Sequence, residues 1–182
     1  MRLLFPKPYA DFVARLRVPS GFALVAAFAW FSHPDARSLA YGLPVSFVGL
    51  AVRAWAAGHL AKNQSLAASG PYAYTRNPLY LGTLLVAAGL ALASRSAGLG
   101  ALFAAVFLCI YLPVIQLEQQ HLRSLFPEYA AYAARVPALL PRMTPAGQPR
   151  AFQWALYLKN REYQAAAGFL SGALFLFWKA LR

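Results

Sequence analysis

The chain has 182 residues, of which 60% are hydrophobic, 15% aromatic and only 12% charged, where an ordinary soluble domain carries about 25% charged residues. That balance excludes intrinsic disorder and argues against a water-soluble globule, leaving a single polytopic membrane domain. Lys and Arg number 17 against 5 Asp and Glu, a formal net charge of +12. The basic residues gather at the ends of apolar runs instead of forming a stripe, which suits anionic lipid headgroups and gives no support to a nucleic-acid partner.

Five apolar runs follow in chain order. The first covers residues 18–31 and extends back to Phe12 if Arg15 and Arg17 reach out to the headgroups along their aliphatic stems. The N-terminal stretch lacks a continuous apolar core ahead of a small-residue cleavage site, so this run is expected to be kept. The second run, 39–57, is long enough for a bilayer crossing, which takes about 20 residues. The third, 79–93, is short. The fourth, 97–117, follows after only Ser94-Arg95-Ser96, so the two form an antiparallel helical hairpin. It contains the lone cysteine, Cys109, read as a small buried hydrophobe. The fifth, 163–180, holds Gly168 and Gly172 at a spacing that lets helices approach closely, read as packing within the chain ahead of dimerisation.

Lipid offers the backbone no hydrogen-bond partner, so the runs must be helices. Stretches such as LGTLLVAAGLALA do not alternate as barrel strands do. The expected fold is an all-α, polytopic bundle of about five transmembrane helices, forming one integral membrane domain over residues 1–182. With the N-terminus cytoplasmic, all but four of the 17 Lys and Arg residues (Arg37, Arg95, Lys179 and Arg182) fall on the inner side. The two long polar segments, residues 58–78 and 118–161, then share the cytoplasmic face.

Those segments carry the candidate chemistry. In the first, Gly70-Pro71 marks a turn, and Asn77-Pro78 starts a helix, with Asn at the cap and Pro at the first helical position. Arg76 stands just before that helix, and Tyr80 and Gly82 are in its first turns. A helix start attracts anions, and a guanidinium beside it offers a planar fork for a carboxylate or phosphate. A plain structural reading gives the same residues a capped interfacial helix with belt tyrosines. In the second segment, Glu118 lies at the cytoplasmic end of the fourth run, where a carboxylate is costly unless paired or wet. His121 shares its helical face. Tyr129, Tyr132 and Arg135 recur every three residues, and Val136-Pro137 closes that helix. Its plain reading is an amphipathic helix lying on the membrane. His33 and His59 read as solvated or interfacial histidines. Neither HExxH nor CxxC occurs, and no carboxylate cluster does either, so no metal site is expected.

Taken together, Gly70-Pro71-Tyr72, Arg76-Asn77-Pro78-Leu79-Tyr80-Leu81-Gly82 and the later Glu118, Leu122, Phe126, Tyr129, Tyr132, Val136, Pro137 and Pro141 resemble the isoprenylcysteine carboxyl methyltransferase family and the related phospholipid methyltransferases. The resemblance covers roughly residues 53–142. A C-terminal amphipathic segment and the last run, about 150–181, lie beyond it. It implies an integral membrane enzyme that uses S-adenosylmethionine, releases S-adenosylhomocysteine and methylates a lipid-like acceptor from the bilayer. The implied location is the bacterial inner membrane, with the site facing the cytoplasm. Carried over, Arg76 and Glu118 are the catalytic positions. Asn77, Tyr80, Gly82, His121, Tyr129, Tyr132, Arg135 and Pro137 are the cofactor-binding ones. Asn77 stands where family members often have His, and Glu118-Gln119 where many have paired glutamates. A prenylcysteine-type carboxylate acceptor is already ionised. A phospholipid amine must lose a proton, which Glu118 or His121 would take. The rival of another class is a non-enzymatic lipid-binding scaffold. A transporter finds little support, because the runs carry almost no ionisable residues at mid-membrane.

Overall fold

The computed structural model describes residues 4–147 and 149–182. Among these residues the chain is helical, with no strands. The helices are α1 (Lys7–Phe31), α2 (Ala36–Ala57), α3 (Pro78–Ser94), α4 (Ala97–Leu125), α5 (Tyr129–Arg135), α6 (Trp154–Lys159) and α7 (Tyr163–Ala180). A single 3-10 turn, Gly70–Ala73, precedes α3. By length and composition α1, α2 and α4 can cross a membrane, and α3 is a shorter apolar helix of 17 residues. The expected fifth run forms the 18-residue α7, which is not among the helices long and apolar enough to cross a membrane. Tyr163, Gln164 and Lys179 occupy its ends and lower its hydropathy over the full 18 residues. Helices of this kind expose Phe22, Val25, Trp30, Tyr41 and Leu174 broadly. Such surfaces belong against hydrocarbon, not water. The molecule is a polytopic helical membrane protein.

Contacts divide the chain into two compact units, with α2, α3, α4 and α7 contributing residues to both. The first unit takes in the chain up to Pro44, Ala87–His121 and Ala173–Arg182. Here α1 runs through Arg15 and Arg17 as the extended first run requires, and it packs on the Ala97–Val106 part of α4 and the wide π-turn that follows, Phe107–Tyr111. A π-turn leaves the local ladder irregular, and the Tyr9 hydroxyl donates to the Cys109 carbonyl within it at 2.8 Å. The Gln116 side chain closes the start of α1. Its Oε1 accepts from the Leu4 and Phe5 amides, and its Nε2 donates to the Phe5 carbonyl. Cys109 itself is exposed, contrary to the expected burial.

The α1–α2 and α3–α4 links lie in the same unit. Asp35 caps α2: its carboxylate accepts from the Ser38 amide at 2.7 Å, while Ser38 Oγ accepts from the Asp35 amide. That hydrogen bond, with Arg95 and Arg37 nearby, holds the Asp35 carboxyl below its usual range. Ser96 caps α4 by accepting from the Leu99 amide, so the expected tight hairpin forms. Lys179 Nζ donates to the Ala29 and Trp30 carbonyls at the end of α1, satisfying carbonyls that have no helical partner. Leu39, Ala93 and Leu176 form this unit's core.

The second unit comprises Val45–Val86 and Leu122–Gly172. Within it α2 and α3 cross with almost no gap: a Cβ on Gly49 would lie 2.6 Å from the Gly82 carbonyl oxygen. Ser46 Oγ donates to the Val86 carbonyl across the same seam. Arg53 on α2 holds three elements. Its Nε donates to Glu162 just before α7, and its Nη1 donates to Thr83 Oγ1 and the Leu79 carbonyl on α3. The Asn160 amide donates to the Ala57 and Leu60 carbonyls, closing the end of α2. By contrast, a Cβ on Gly168 or Gly172 would meet nothing within 4 Å among the described residues. The expected small-residue packing is therefore made by Gly49 and Gly82 in this unit, not by the pair in α7.

Candidate active site

The polar segments of the second unit fold onto one another. Residues 73–77, leading into α3, run beside residues 137–146, which follow α5. The Arg76 amide donates to the Pro137 carbonyl, the Arg142 amide to the Tyr74 carbonyl and the Ala146 amide to the Ala73 carbonyl. Thr75 Oγ1 donates to the Leu139 and Ala138 carbonyls. Asn77 Nδ2 donates to the Ala138 carbonyl at 2.7 Å, so this side chain ties the start of α3 to the second segment. These bonds join two stretches that are polar, loop-like and some sixty residues apart in sequence.

Helix α5 presents its tyrosines to this platform. Tyr129, Tyr132 and Val136 form a buried cluster with Leu122, Phe126, Leu66, Ala68, Ala133 and Ala146 around it. The Tyr132 hydroxyl donates to the Tyr72 carbonyl at 2.7 Å. The rings of Tyr129 and Tyr132 meet edge to face at 6.0 Å, and the Arg123 guanidinium stands 5.9 Å from the Tyr129 ring centroid. Burial pushes the pKa of both phenols up, so each is a neutral hydroxyl at physiological pH.

Arg76 is the exception in an otherwise satisfied cluster. Its Nη1 donates to the Tyr129 hydroxyl at 3.5 Å, yet its buried Nε has no hydrogen-bond partner. Among the described residues no carboxylate pairs with it. A buried guanidinium N–H left unmet costs free energy. The natural remedy is an anion that accepts from the fork.

The structure thus brings Arg76, Asn77, Tyr129, Tyr132 and Pro137 together. Tyr80 is half-buried on the first turn of α3. Gly82, two residues on, faces α2, where a Cβ would strike the Gly49 carbonyl and the Arg53 stem. Arg135 is exposed and lines a cleft of about 680 Å³ beside Tyr132. Glu118 and His121 belong to the first unit, at the exposed end of its part of α4. There Glu118 Oε1 lies 3.6 Å from Arg17 Nη1. No three His, Cys, Asp or Glu side chains among the described residues converge as a metal site.

Sequence reasoning missed Arg53 and Glu162. Arg53 counted only as an inner-face charge, and Glu162 stood outside the motif-bearing region. The available signal was their type: a cation inside an apolar run and one of five acidic residues immediately before another. His59 was also underrated. Its Nδ1 is 3.1 Å from Ser69 Oγ, its ring meets Trp55 and Phe152 edge-on, and burial lowers its pKa.

An all-helical membrane-spanning chain with an arginine at the start of an apolar helix, locked to a tyrosine-bearing helix, defines a class of integral membrane protein. A family profile described as phospholipid methyltransferase matches residues 44–129. The chain belongs to that family, to which the isoprenylcysteine carboxyl methyltransferases are related. It is 40% identical over 105 residues to the cobalt-zinc-cadmium resistance protein CzcN of Cupriavidus metallidurans, a match covering 57% of this chain and 47% of CzcN. It is 31% identical over 151 residues to the nickel-cobalt-cadmium resistance protein NccN of Alcaligenes xylosoxydans xylosoxydans, covering 76% of this chain and 71% of NccN. The chain thus spans about half the length of CzcN. No solved structure matches it significantly.

Proposed function

We propose that the protein transfers a methyl group from S-adenosylmethionine to an amphiphilic, lipid-like acceptor at the cytoplasmic face of the bacterial inner membrane. The observation that carries this reading is the unmet Nε of Arg76, buried at the start of α3 inside the family-matched segment. S-adenosylmethionine carries a carboxylate that suits this fork, so the donor set fits the cofactor. When bound, the cofactor supplies an electrophilic methyl group on sulfur for in-line displacement, a reaction whose catalysis is chiefly positioning.

The remaining roles fall to this chain's own side chains. Tyr129 fixes one end of the Arg76 guanidinium, and Asn77 and Thr75 anchor the backbone that presents it. Tyr132, bound to Tyr72, holds α5 to the 3-10 turn and keeps an apolar wall dry. Tyr80, Arg135 and Pro137 complete the cofactor positions by family resemblance. Glu118 and His121 are carried over on that resemblance alone, as groups able to take a proton from an amine acceptor.

A second reading draws on the relatives' names, which state metal resistance and no catalytic activity: a lipid-binding membrane protein of a resistance system. Titration calorimetry of S-adenosylhomocysteine into the detergent-purified protein separates the two. The expected result is saturable binding that Arg76→Ala weakens by about tenfold or more, the worth of one charge-assisted hydrogen bond. A folded wild type that shows no saturable binding removes the enzymatic reading.

A further inference from the structure

Within the second unit, α6 is laid across the end of α2. The Gln153 amide donates to the Gly58 carbonyl at 3.0 Å, and Asn160 Nδ2 donates to the Ala57 and Leu60 carbonyls. The Phe152 ring abuts Gly58 and meets His59 edge-on. Both ends of α6 are thus bonded to residues 57–60, where α2 finishes. That place marks a depth in the membrane, because α2 is long and apolar enough to cross one. Its 22 residues extend about 33 Å, against a hydrocarbon core of about 30 Å. Arg53, one turn inside, gathers the Leu79 carbonyl at the start of α3 and Glu162 just before α7 near the same level. Helix α6 therefore lies at the boundary between hydrocarbon and water.

Its side chains suit that boundary. Trp154 and Leu158, four residues apart, share one helical face and are 70% and 58% exposed. Leu156 and Tyr157 are half-buried. The Trp154 ring meets Phe152 at 5.0 Å and Tyr157 at 5.8 Å, both edge to face, so the exposed indole is held within a braced cluster. Lys159 and Arg161 follow, exposed and in no salt bridge among the described residues. A helix of six residues is marginal in water by itself, and an open indole and leucine gain nothing there. At the edge of a bilayer the indole occupies the zone that tryptophan favours and the leucine reaches hydrocarbon. The two cations meet anionic headgroups at the same edge. All of these residues lie beyond the family-matched 44–129.

We propose that residues 152–161 form an interfacial anchor seated in the anionic leaflet of the host membrane, with Trp154 and Leu158 turned to the acyl chains and Lys159 and Arg161 to the headgroups. The occupant of the exposed face is the lipid surface, not a single bound lipid and not a protein. Through Phe152 and Asn160 the anchor fixes the depth of the α2 end, and with it the junction at Arg53. The proposal does not depend on methyl transfer.

The test uses the full chain in nanodiscs, with Cys109→Ser removing the single native thiol. A nitroxide is attached at Leu158→Cys or, in a second protein, at Lys159→Cys. Its collisions are measured with oxygen, which concentrates in hydrocarbon, and with a water-soluble nickel chelate. At position 158 oxygen collisions are expected to exceed chelate collisions severalfold, and at 159 the order reverses. Adding phosphatidylglycerol to phosphatidylcholine discs raises the ratio at 158, and Lys159→Gln combined with Arg161→Gln abolishes that rise. Trp154→Cys carries the same label and the same expectation should Leu158→Cys fail to fold. Chelate access at 158 equal to that at 159 overturns the anchor, as does a ratio at 158 that ignores phosphatidylglycerol. Spin–spin broadening at 158 gives the face to a second copy of the chain. Shielding from both reagents without broadening gives it to another surface of the same chain. Either result overturns the proposal.

Discussion

Two titratable residues separate structural from catalytic duty. Glu118 faces Arg17 at 3.6 Å with both side chains nearly half exposed, at 48% and 46%. Such pairs contribute about 0–1 kcal/mol. Glu118→Gln is therefore expected to leave the melting temperature in detergent nearly unchanged. On the family resemblance it also cuts methylation of lipid extracts by about a hundredfold, the lower end of what general acid–base groups supply. Wild-type turnover in this variant would strip Glu118 of its assigned role. His59 gives the complementary case. Its pKa is depressed by burial, whereas in the unfolded chain a histidine binds its proton near about pH 6.5. Its contribution to stability is complete above that pH and is lost as pH falls through the depressed folded value. The melting temperature should drop between pH 7.5 and 5.5, and His59→Gln should flatten that slope. An identical slope in both proteins would place the titration elsewhere.

At the level of helices, close approach is concentrated at particular glycines. A Cβ on Gly82 would lie 2.7 Å from the Gly49 carbonyl oxygen and 2.5 Å from Arg53 Cγ. The stem can move, but the backbone cannot without opening the α2–α3 seam. Gly82→Ala should cost about 1–3 kcal/mol, as overpacking does, and also loosen the Arg53–Thr83 contact. Gly168→Ala meets open space and should be neutral or slightly stabilising, since Ala is the better helix former. Paired thermal melts of the two variants decide this; equal effects would contradict the geometry. The same glycines show why the sequence was partly legible. Long apolar runs announce helices because lipid leaves the backbone no alternative, so α1, α2, α4 and the Ser94–Ser96 hairpin were readable. Spacing alone cannot reveal which small residues face a neighbour: the GxxxG pair in α7 has the spacing, while Gly49 and Gly82 have the contact. Arg76, Tyr129 and Tyr132 could be named from type and order. The bonds that Arg76 and Tyr132 make to the Pro137 and Tyr72 carbonyls could not, because backbone acceptors leave no mark in side-chain identity.

For the molecule as a whole, the distribution of basic residues sets an orientation that chemical labelling can check. In a Cys109→Ser background, Lys62→Cys should react with a membrane-impermeant maleimide only after cells are opened, and Arg37→Cys before. The reverse pattern would invert the proposed facing of the site. The part-buried pairing of Arg53 with Glu162 bears on how such a bundle is made. The two residues are 109 positions apart. Synthesis proceeds from one end, so the guanidinium reaches the bilayer long before the carboxylate that neutralises it has left the ribosome. Until then Arg53, near the end of the second helix, lacks the carboxylate that pairs with it, which costs free energy to the extent that the side chain is withdrawn from water. The arrival of Glu162 is thus the step that completes this contact, and a ribosome stalled before residue 162 should leave a nascent chain that quality-control proteases recognise.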